Sequence, residues 1–351
     1  MIYKEGHVVE NSKNVIDRNK KNISYISKLE SYLSPNIRNI IRNVPQNFKE
    51  TLEEIRLRVD NPLMVFGDQR DYFVDLKGNL TLNPMNSYYV TTDDIEKTLQ
   101  FASNYSIYSV EEEIKKGYIT VQGGHRIGIV GKVLLDNNGI RTLKNYSGLN
   151  IRISREKLGV ATGVLPHIIN AKGELMNTLI VSPPQCGKTT LLRDVIRMVS
   201  TGVPHMNFRG LKVGVVDERS ELGACFQGVP QNDLGPRTDI LDSCPKAEGI
   251  MMLIRAMSPQ VIATDEIGRE EDMIAIDEAI MAGIKLITTV HSRSLENILS
   301  KRVVGKLVKD GVFERIIFLS NMNGVGTVDS IVDGTNLTYL IQNTNKNRGI
   351  T

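Results

Sequence analysis

The sequence predicts an α/β fold with a mainly parallel sheet over residues 173–343, preceded by a smaller α+β domain over residues 26–154. Three observations carry this prediction. From Asn177 onward, short apolar runs alternate with helical stretches, the signature of a parallel sheet with crossover helices. Before Ser154 the β-prone segments instead come with hairpin signals, most clearly in YITVQGGHRIGIVGKVLL, which turns at Gly123–Gly124. The pattern changes across residues 155–172, which read as a linker.

Each element has its own signal. Leu29, Leu33, Ile37, Ile40 and Ile41, then Phe48, Leu52 and Ile55, recur at helical spacing, and Pro45 separates two helices. EIRLRV, Glu54 to Val59, alternates polar and apolar residues and predicts a strand, as do Leu63 to Phe66 and Tyr72 to Val74. Thr91 to Asp94 offer N-caps and early acidic residues ahead of Ile95, Leu99 and Phe101, which predicts a helix over about 93–103. LNIRIS, Leu149 to Ser154, closes the first domain as a strand. Residues 1–25 read as a loosely packed polar arm and 344–351 as a frayed tail.

Composition narrows the function classes. The 351 residues, 41% hydrophobic and 24% charged, supply enough apolar material for two cores. Lys and Arg number 43 against 40 Asp and Glu, and this balance of +3 lacks the basic stripe that nucleic-acid binding requires. Cys186, Cys225 and Cys244 show no paired metal spacing, and their odd number argues against a disulfide framework, so a reducing cytoplasm is expected. No apolar run approaches the roughly 20 residues of a membrane span, and the first residues are too polar for a secretory signal.

Chemistry enters at residues 182–190. Asn177 to Val181 reads as a strand, Ser182-Pro183-Pro184-Gln185-Cys186-Gly187-Lys188-Thr189-Thr190 as a loop, and Leu191, Leu192, Val195, Ile196 and Val199 as one face of a helix. Backbone N–H groups at such a helix start point toward an anion, and the helix dipole favours negative charge there. Gly187 lets the backbone approach phosphates, Lys188 faces the β- and γ-phosphate oxygens, and the Thr189 hydroxyl is a ligand for Mg²⁺, a hard cation that prefers oxygen. The loop is thus expected to bind ATP and Mg²⁺. Its first position is Ser182 where the motif has glycine, a departure that matters if that position requires positive φ.

Val261-Ile-Ala-Thr-Asp265-Glu266 is a buried-type strand ending in two carboxylates, at the sheet edge where parallel sheets hold ligands. It reads as a Walker B element, with Asp265 for the metal and Glu266 as the base that orients and deprotonates water. In sequence, another strand lies between loop and Walker B, Lys212 to Val216, ending in Asp217-Glu218-Arg219-Ser220-Glu221. A further strand, Lys285 to Val290, delivers His291 to the same edge, where a γ-phosphate sensor sits.

Together these residues resemble the bacterial secretion ATPases, the hexameric motors of type II and type IV secretion and pilus assembly. The resemblance spans about residues 118–300. Within that family, VDERSELGACFQGVPQNDLGPRTDILDSCPKAEGIMMLIRAMSPQVIATDEIG is similar to members that act in sporulation, as are GGHRIGIVGKV and LNIRIS. The resemblance implies a RecA-like P-loop ATPase domain and a homo-hexamer, with ATP also contacted by arginines matching Arg126 or Arg152. Arg237 and Arg255 match family positions too. It further implies a cytoplasmic protein on the mother-cell side, peripheral to the membrane, whose partners are membrane proteins of a sporulation channel.

Two other readings compete. A RecA-like nucleic-acid-dependent ATPase predicts a basic stripe with interleaved aromatics, yet aromatics are 5% and charge is balanced. An ATP-binding structural switch without turnover predicts a lost catalytic acid, whereas Glu266 is present.

Overall fold

The computed structural model describes residues 28–137 and 139–343; the arm read at 1–25 and the tail at 344–351 lie outside the described residues. The described chain divides into two compact units between Arg155 and Glu156.

In the first unit, helix α1 (Pro35–Asn43) starts at Ser34, whose hydroxyl accepts the Ile37 N–H. A single turn (Gln46–Lys49) follows Pro45, and the chain then enters strand β1 (Leu52–Arg58). Leu52 and Ile55 continue the helical spacing from Phe48, yet both lie in β1, in line with the strand read at Glu54 to Val59. The reason is a bulge between Leu52 and Glu54 where β1 pairs with β2 (Met64–Gly67). The extra residue lets two side chains three apart face one core, which imitates helical spacing in the sequence.

Strands β3 (Arg70–Val74), β4 (Leu80–Thr81), β5 (Tyr118–Val121), β6 (His125–Asp136) and β7 (Gly139–Arg152) complete an antiparallel sheet. Its order is β4-β3-β2-β1-β7-β6-β5 among the described residues. The β5–β6 turn falls at Gly123 and Gly124, with φ of 92° and 76°. Helix α2 (Thr92–Ala102) has the capping box of Thr91 and Asp94, and Asp94 also accepts hydrogen bonds from Ser34 Oγ (2.7 Å) and Tyr88 Oη (2.6 Å). One buried carboxylate therefore ties together the starts of both helices, which pack with Ile55, Leu57, Ile127 and Ile151 in one core.

The second unit is layered. Its described strands are β8 (Thr178–Ser182), the short pair β9 (Gly202–Val203) and β10 (Phe208–Arg209), β11 (Val213–Asp217), β12 (Thr238–Asp242), β13 (Val261–Thr264), β14 (Lys285–His291), β15 (Arg315–Ser320), β16 (Thr327–Asp333) and β17 (Thr338–Gln342). The main sheet runs β12-β11-β13-β14-β8-β15-β16-β17. It is parallel from β12 to β15 and antiparallel at β16 and β17.

Alternation along β8 shows why both faces are covered. Ile180 points to the face held by Leu192, Val195, Ile196 and Val199 of helix α3 (Lys188–Thr201). Leu179 and Val181 point to the face held by helices α4 (Lys246–Met257) and α5 (Glu270–Met281), through Ile250, Leu253, Ala275 and Ile276. A strand buried on both faces is apolar without alternation, as Leu179, Ile180 and Val181 of β8 display.

The segment read as a linker, 155–172, is not one throughout. Ala161, Val164, Leu165 and Ile168 are buried beside Leu192 and Val195, and the Asp194 carboxylate accepts the Ala161 N–H at 2.8 Å. Its apolar residues are too sparse to show a period, and only packing against α3 reveals that they belong to a core.

Candidate active site

The loop after β8 takes its shape from two left-handed residues. Gln185 has φ of 61° and Gly187 of 84°, whereas Ser182 is the last residue of β8, paired with His291. An extended backbone accepts serine, so the departure from the glycine motif costs nothing at that position. Gly187 is the demanding one. A Cβ there would lie 3.1 Å from both Gly326 Cα and Val325 Cγ1, besides its strained φ. Helix α3 begins at the next residue, and its first N–H groups have no intrahelical acceptor.

Pro184, Gln185, Gly187, Lys188, Thr189 and Thr190 line a cavity of about 440 Å³. Ser182, Pro183 and Cys186, expected as ligand contacts, do not. Ser182 and Cys186 are buried; the Ser182 hydroxyl donates to the Pro183 carbonyl at 2.6 Å, and Cys186 Sγ lies 3.5 Å from the Pro184 carbonyl. These residues hold the loop, and the residues after them meet the cavity.

The opposite wall comes from strand ends that parallel pairing brings into line. Thr264 of β13 is level with Thr288 of β14, and His291 of β14 is level with Ser182 of β8. Asp265, Glu266, Thr289 and His291 therefore face the same cavity as Lys188, joined by Arg219 and Glu221 from the loop after β11. The strand interposed in space between β8 and β13 is β14, while β11, which lies between them in sequence, sits outside β13.

A polar chain crosses this cavity. Lys188 Nζ lies 2.7 Å from His291 Nδ1 and 3.4 Å from Ser182 Oγ; His291 Nε2 lies 3.1 Å from Glu266 Oε1; Arg219 Nη1 lies 3.1 Å from Glu266 Oε2. An ammonium can only donate, so Nδ1 accepts and the ring proton is assigned to Nε2, facing the carboxylate. Burial pulls the Lys188 ammonium below its ordinary pKa, and the nearby Glu266 charge opposes this. Glu266 itself has φ of 32°, strained for a side-chain-bearing residue, and its N–H is held by Thr289 Oγ1 at 2.9 Å.

Asp265 is buried, and its Oδ1 has no hydrogen-bond partner among the described residues, with Lys246 Nζ at 3.7 Å. Burial pushes its carboxyl up, with Lys246 acting against that. A buried carboxylate oxygen lacking a donor costs on the order of 1–3 kcal/mol or more unless a ligand or ion satisfies it. The donor set fits Mg²⁺: one carboxylate and the Thr189 hydroxyl share the cavity, and this ion is held by few protein oxygens together with phosphate and water.

The acidic stretch after β11 divides by role. Asp217 Oδ1 accepts the Glu221 N–H at 2.9 Å, and its Oδ2 accepts those of Leu222 and Gly223 at 2.9 and 2.8 Å. Burial nevertheless pushes its carboxyl up to about 6. Asp217 shapes the loop and Glu218 pairs with the buried Lys246, so Glu221 is the acid of this stretch that lines the cavity. Asp217→Asn puts an amide N–H against a backbone N–H, and a loss of about 1–3 kcal/mol is expected. Thermal unfolding checks this, together with faster proteolysis within 218–223; an unchanged melting temperature and cleavage pattern count against a loop-forming role.

In the first unit, Arg126 of β6 lies directly opposite Arg152 of β7, and Arg152 lies opposite Glu54 of β1. Arg152 Nε is 3.6 Å from Glu54 Oε1, and the Arg126 guanidinium stacks 3.9 Å from the Tyr118 ring centre. Arg237 closes the end of α3, donating to the Ser200 and Thr201 carbonyls at 2.8 and 3.2 Å, while Arg255 is exposed on α4.

Lys246 and Thr289 were missed as members of this neighbourhood. Lys246 follows Pro245 at a helix start, with no signal in its spacing, and its approach to Asp265 arises only from the packing of α4 on β11, the strand paired with β13. Among the described residues, no helix is long and apolar enough to cross a membrane.

In the solved structures, the chain is similar to the ATPase DotB of Legionella pneumophila, with a TM-score of 0.50 at 13% identity over 76% of this chain and 72% of that one. It is also similar to the pilus retraction motor PilT with bound ADP, with a TM-score of 0.52 at 15% identity over 84% and 80%. At such identities the likeness is one of fold, an α/β ATPase fold. In sequence, the chain is 40% identical over 308 residues to stage III sporulation protein AA of Bacillus subtilis (strain 168), covering 88% of this chain and 95% of that relative. The model of the family described as sporulation stage III, protein AA matches residues 26–337, and the chain belongs to that family.

Proposed function

We propose that this chain is a Mg²⁺-dependent ATPase with a RecA-like catalytic domain. In this reading it works as a homo-hexamer that energises a membrane channel between mother cell and forespore during sporulation. One observation carries the ATPase reading: Lys188, Thr189, Asp265, Glu266 and His291 meet in a single cavity, with the Asp265 Oδ1 atom buried and without a hydrogen-bond partner among the described residues. The channel role is supported by the relative's name, a stage III sporulation protein, and by structural neighbours described as a pilus motor and an ATPase.

The chemistry follows from the residues in place. The N–H groups at the start of α3 and the Lys188 ammonium receive the phosphates, so Lys188 exchanges His291 Nδ1 for phosphate oxygen. Glu266 takes a proton from water as the water oxygen bonds to the γ-phosphorus. The bond from that phosphorus to the bridging oxygen breaks, and ADP leaves with the electron pair. His291 holds Glu266 through Nε2 while facing Lys188 through Nδ1, which couples the carboxylate to the arrival of the γ-phosphate. Mg²⁺, when bound, neutralises phosphate charge from the side of Thr189 and Asp265.

The deciding experiment measures ATP binding with a fluorescent nucleotide and phosphate production with purified full-length chain. Hydrolysis is expected to vanish on chelation of divalent ions and to return with added Mg²⁺; activity that survives complete chelation removes the metal from the reading. A hexamer whose sites are completed by neighbouring copies also predicts a rate per subunit that rises with protein concentration. A constant rate from a chain shown to be monomeric refutes the shared site.

A further inference from the structure

The wall made by Glu266 has two sides. Behind it lies a second cavity of about 260 Å³, and Arg219, Glu266 and His291 line both it and the nucleotide cavity. The contacts from His291 Nε2 to Glu266 Oε1 and from Arg219 Nη1 to Glu266 Oε2, each 3.1 Å, are the partition between the two spaces. The volume matches roughly eight or nine waters at about 30 Å³ each, and it falls below the roughly 300 Å³ at which cofactor-sized pockets begin. It suits a small hydrated ion.

The lining selects the charge of that ion. Besides Arg219, the wall carries Lys246, Arg269 and Lys301. These four cations outnumber the three acids of the lining, Glu218, Glu266 and Asp272, and each acid already has partners. Glu218 pairs with the buried Lys246 and lies 3.6 Å from Arg269 Nη1, and the Asp272 carboxylate accepts the Gly268 and Arg269 N–H groups at 3.0 and 2.9 Å. Arg219 and Arg269 have side chains 60% and 73% exposed, so each can change partner without leaving a buried charge behind.

We propose that this second cavity receives inorganic phosphate after ATP is cleaved, by way of the Arg219–Glu266–His291 partition. The inference rests on the ATPase reading above. Cleavage leaves the new phosphate between ADP, still seated along the phosphate loop, and Glu266 at the far wall. A cation-lined space directly behind that wall offers a route that does not require ADP to leave first. A long, largely exposed arginine in the partition is suited to hand the anion across, since guanidinium binds tetrahedral oxyanions through paired donors.

The test is inhibition of steady-state hydrolysis by added inorganic phosphate, in wild type, Arg269→Gln and Arg269→Lys, using the full chain. Arg269 is exposed and lines the second cavity only, so turnover without added phosphate should stay within about twofold. Phosphate is expected to inhibit wild type without raising the KM for ATP. Arg269→Gln should raise the inhibition constant about fivefold, and Arg269→Lys should restore most of it. Absence of inhibition, inhibition purely competitive with ATP, or an inhibition constant unchanged in Arg269→Gln overturns the proposal. Should wild type hydrolyse no ATP, the ATPase reading fails on its own. Equilibrium binding of radiolabelled phosphate to the nucleotide-free chain then decides: binding weakened by Arg269→Gln supports the cavity, and binding unaffected or absent refutes it.

Discussion

Replacing Glu266 by glutamine is expected to leave ATP bound and to cut turnover by about 100-fold or more, because the amide keeps the shape and one acceptor but takes no proton from water. The local geometry makes the substitution a clean one. Its backbone is fixed by the Thr289 hydroxyl, and His291 Nε2 can still donate to the remaining oxygen. The new amide N–H faces Arg219, so that contact is lost, but Arg219 is exposed and can turn toward solvent. A single-turnover measurement with a parallel binding titration separates the two effects. Near wild-type hydrolysis with intact affinity rules Glu266 out as the base. Glu221 is then the carboxylate to test, because it lines the same cavity while Glu218 is tied to Lys246.

Lys188→Ala should act on binding instead. The ammonium is the buried cation that reaches into the proposed nucleotide cavity from the start of α3, and a charge-assisted contact is worth roughly 1.5–3 kcal/mol, or about 10- to 100-fold in affinity. Burial already lowers the pKa of this group, so its charge is held partly by Glu266 and is best satisfied by phosphate. The fold should survive, since Lys188 contacts only Ser182 and His291 among the polar groups described and its helix is anchored by Leu192, Val195 and Ile196. Fluorescent-nucleotide titration reads the effect; unchanged affinity in a folded variant would falsify the phosphate-loop assignment.

Much of this site was legible because its signals are local. A strand, a loop with Gly187 and Lys188, and an amphipathic helix occupy adjacent residues, so the loop of residues 183–187 stands in sequence as it stands in space. The pair Asp265 and Glu266 after an apolar strand is equally local, and so is the helix start at Thr91 and Asp94. Leu52 and Ile55 gave two signals, the strand alternation of Glu54 to Val59 and a helical spacing from Phe48, because a bulge gives a strand the spacing of a helix. Residues 161–168 misled because a few apolar side chains reveal their core only once α3 lies against them.

The sequence by itself determined the α/β alternation, the strand–loop–helix unit around Gly187 and Lys188 and the two acids at a strand end, since each depends on neighbours within a few residues and on the chemistry of the residue types. Tertiary structure decided which strands adjoin. It placed β14 rather than β11 between β8 and β13, and so set His291 level with Ser182 and within reach of both Lys188 and Glu266. It also turned Asp217 into the loop, brought Lys246 beside Asp265, and made Glu266 a wall between two cavities. Strand order is fixed by which apolar faces bury one another best across the whole sheet, a sum over distant residues that no single stretch of sequence contains.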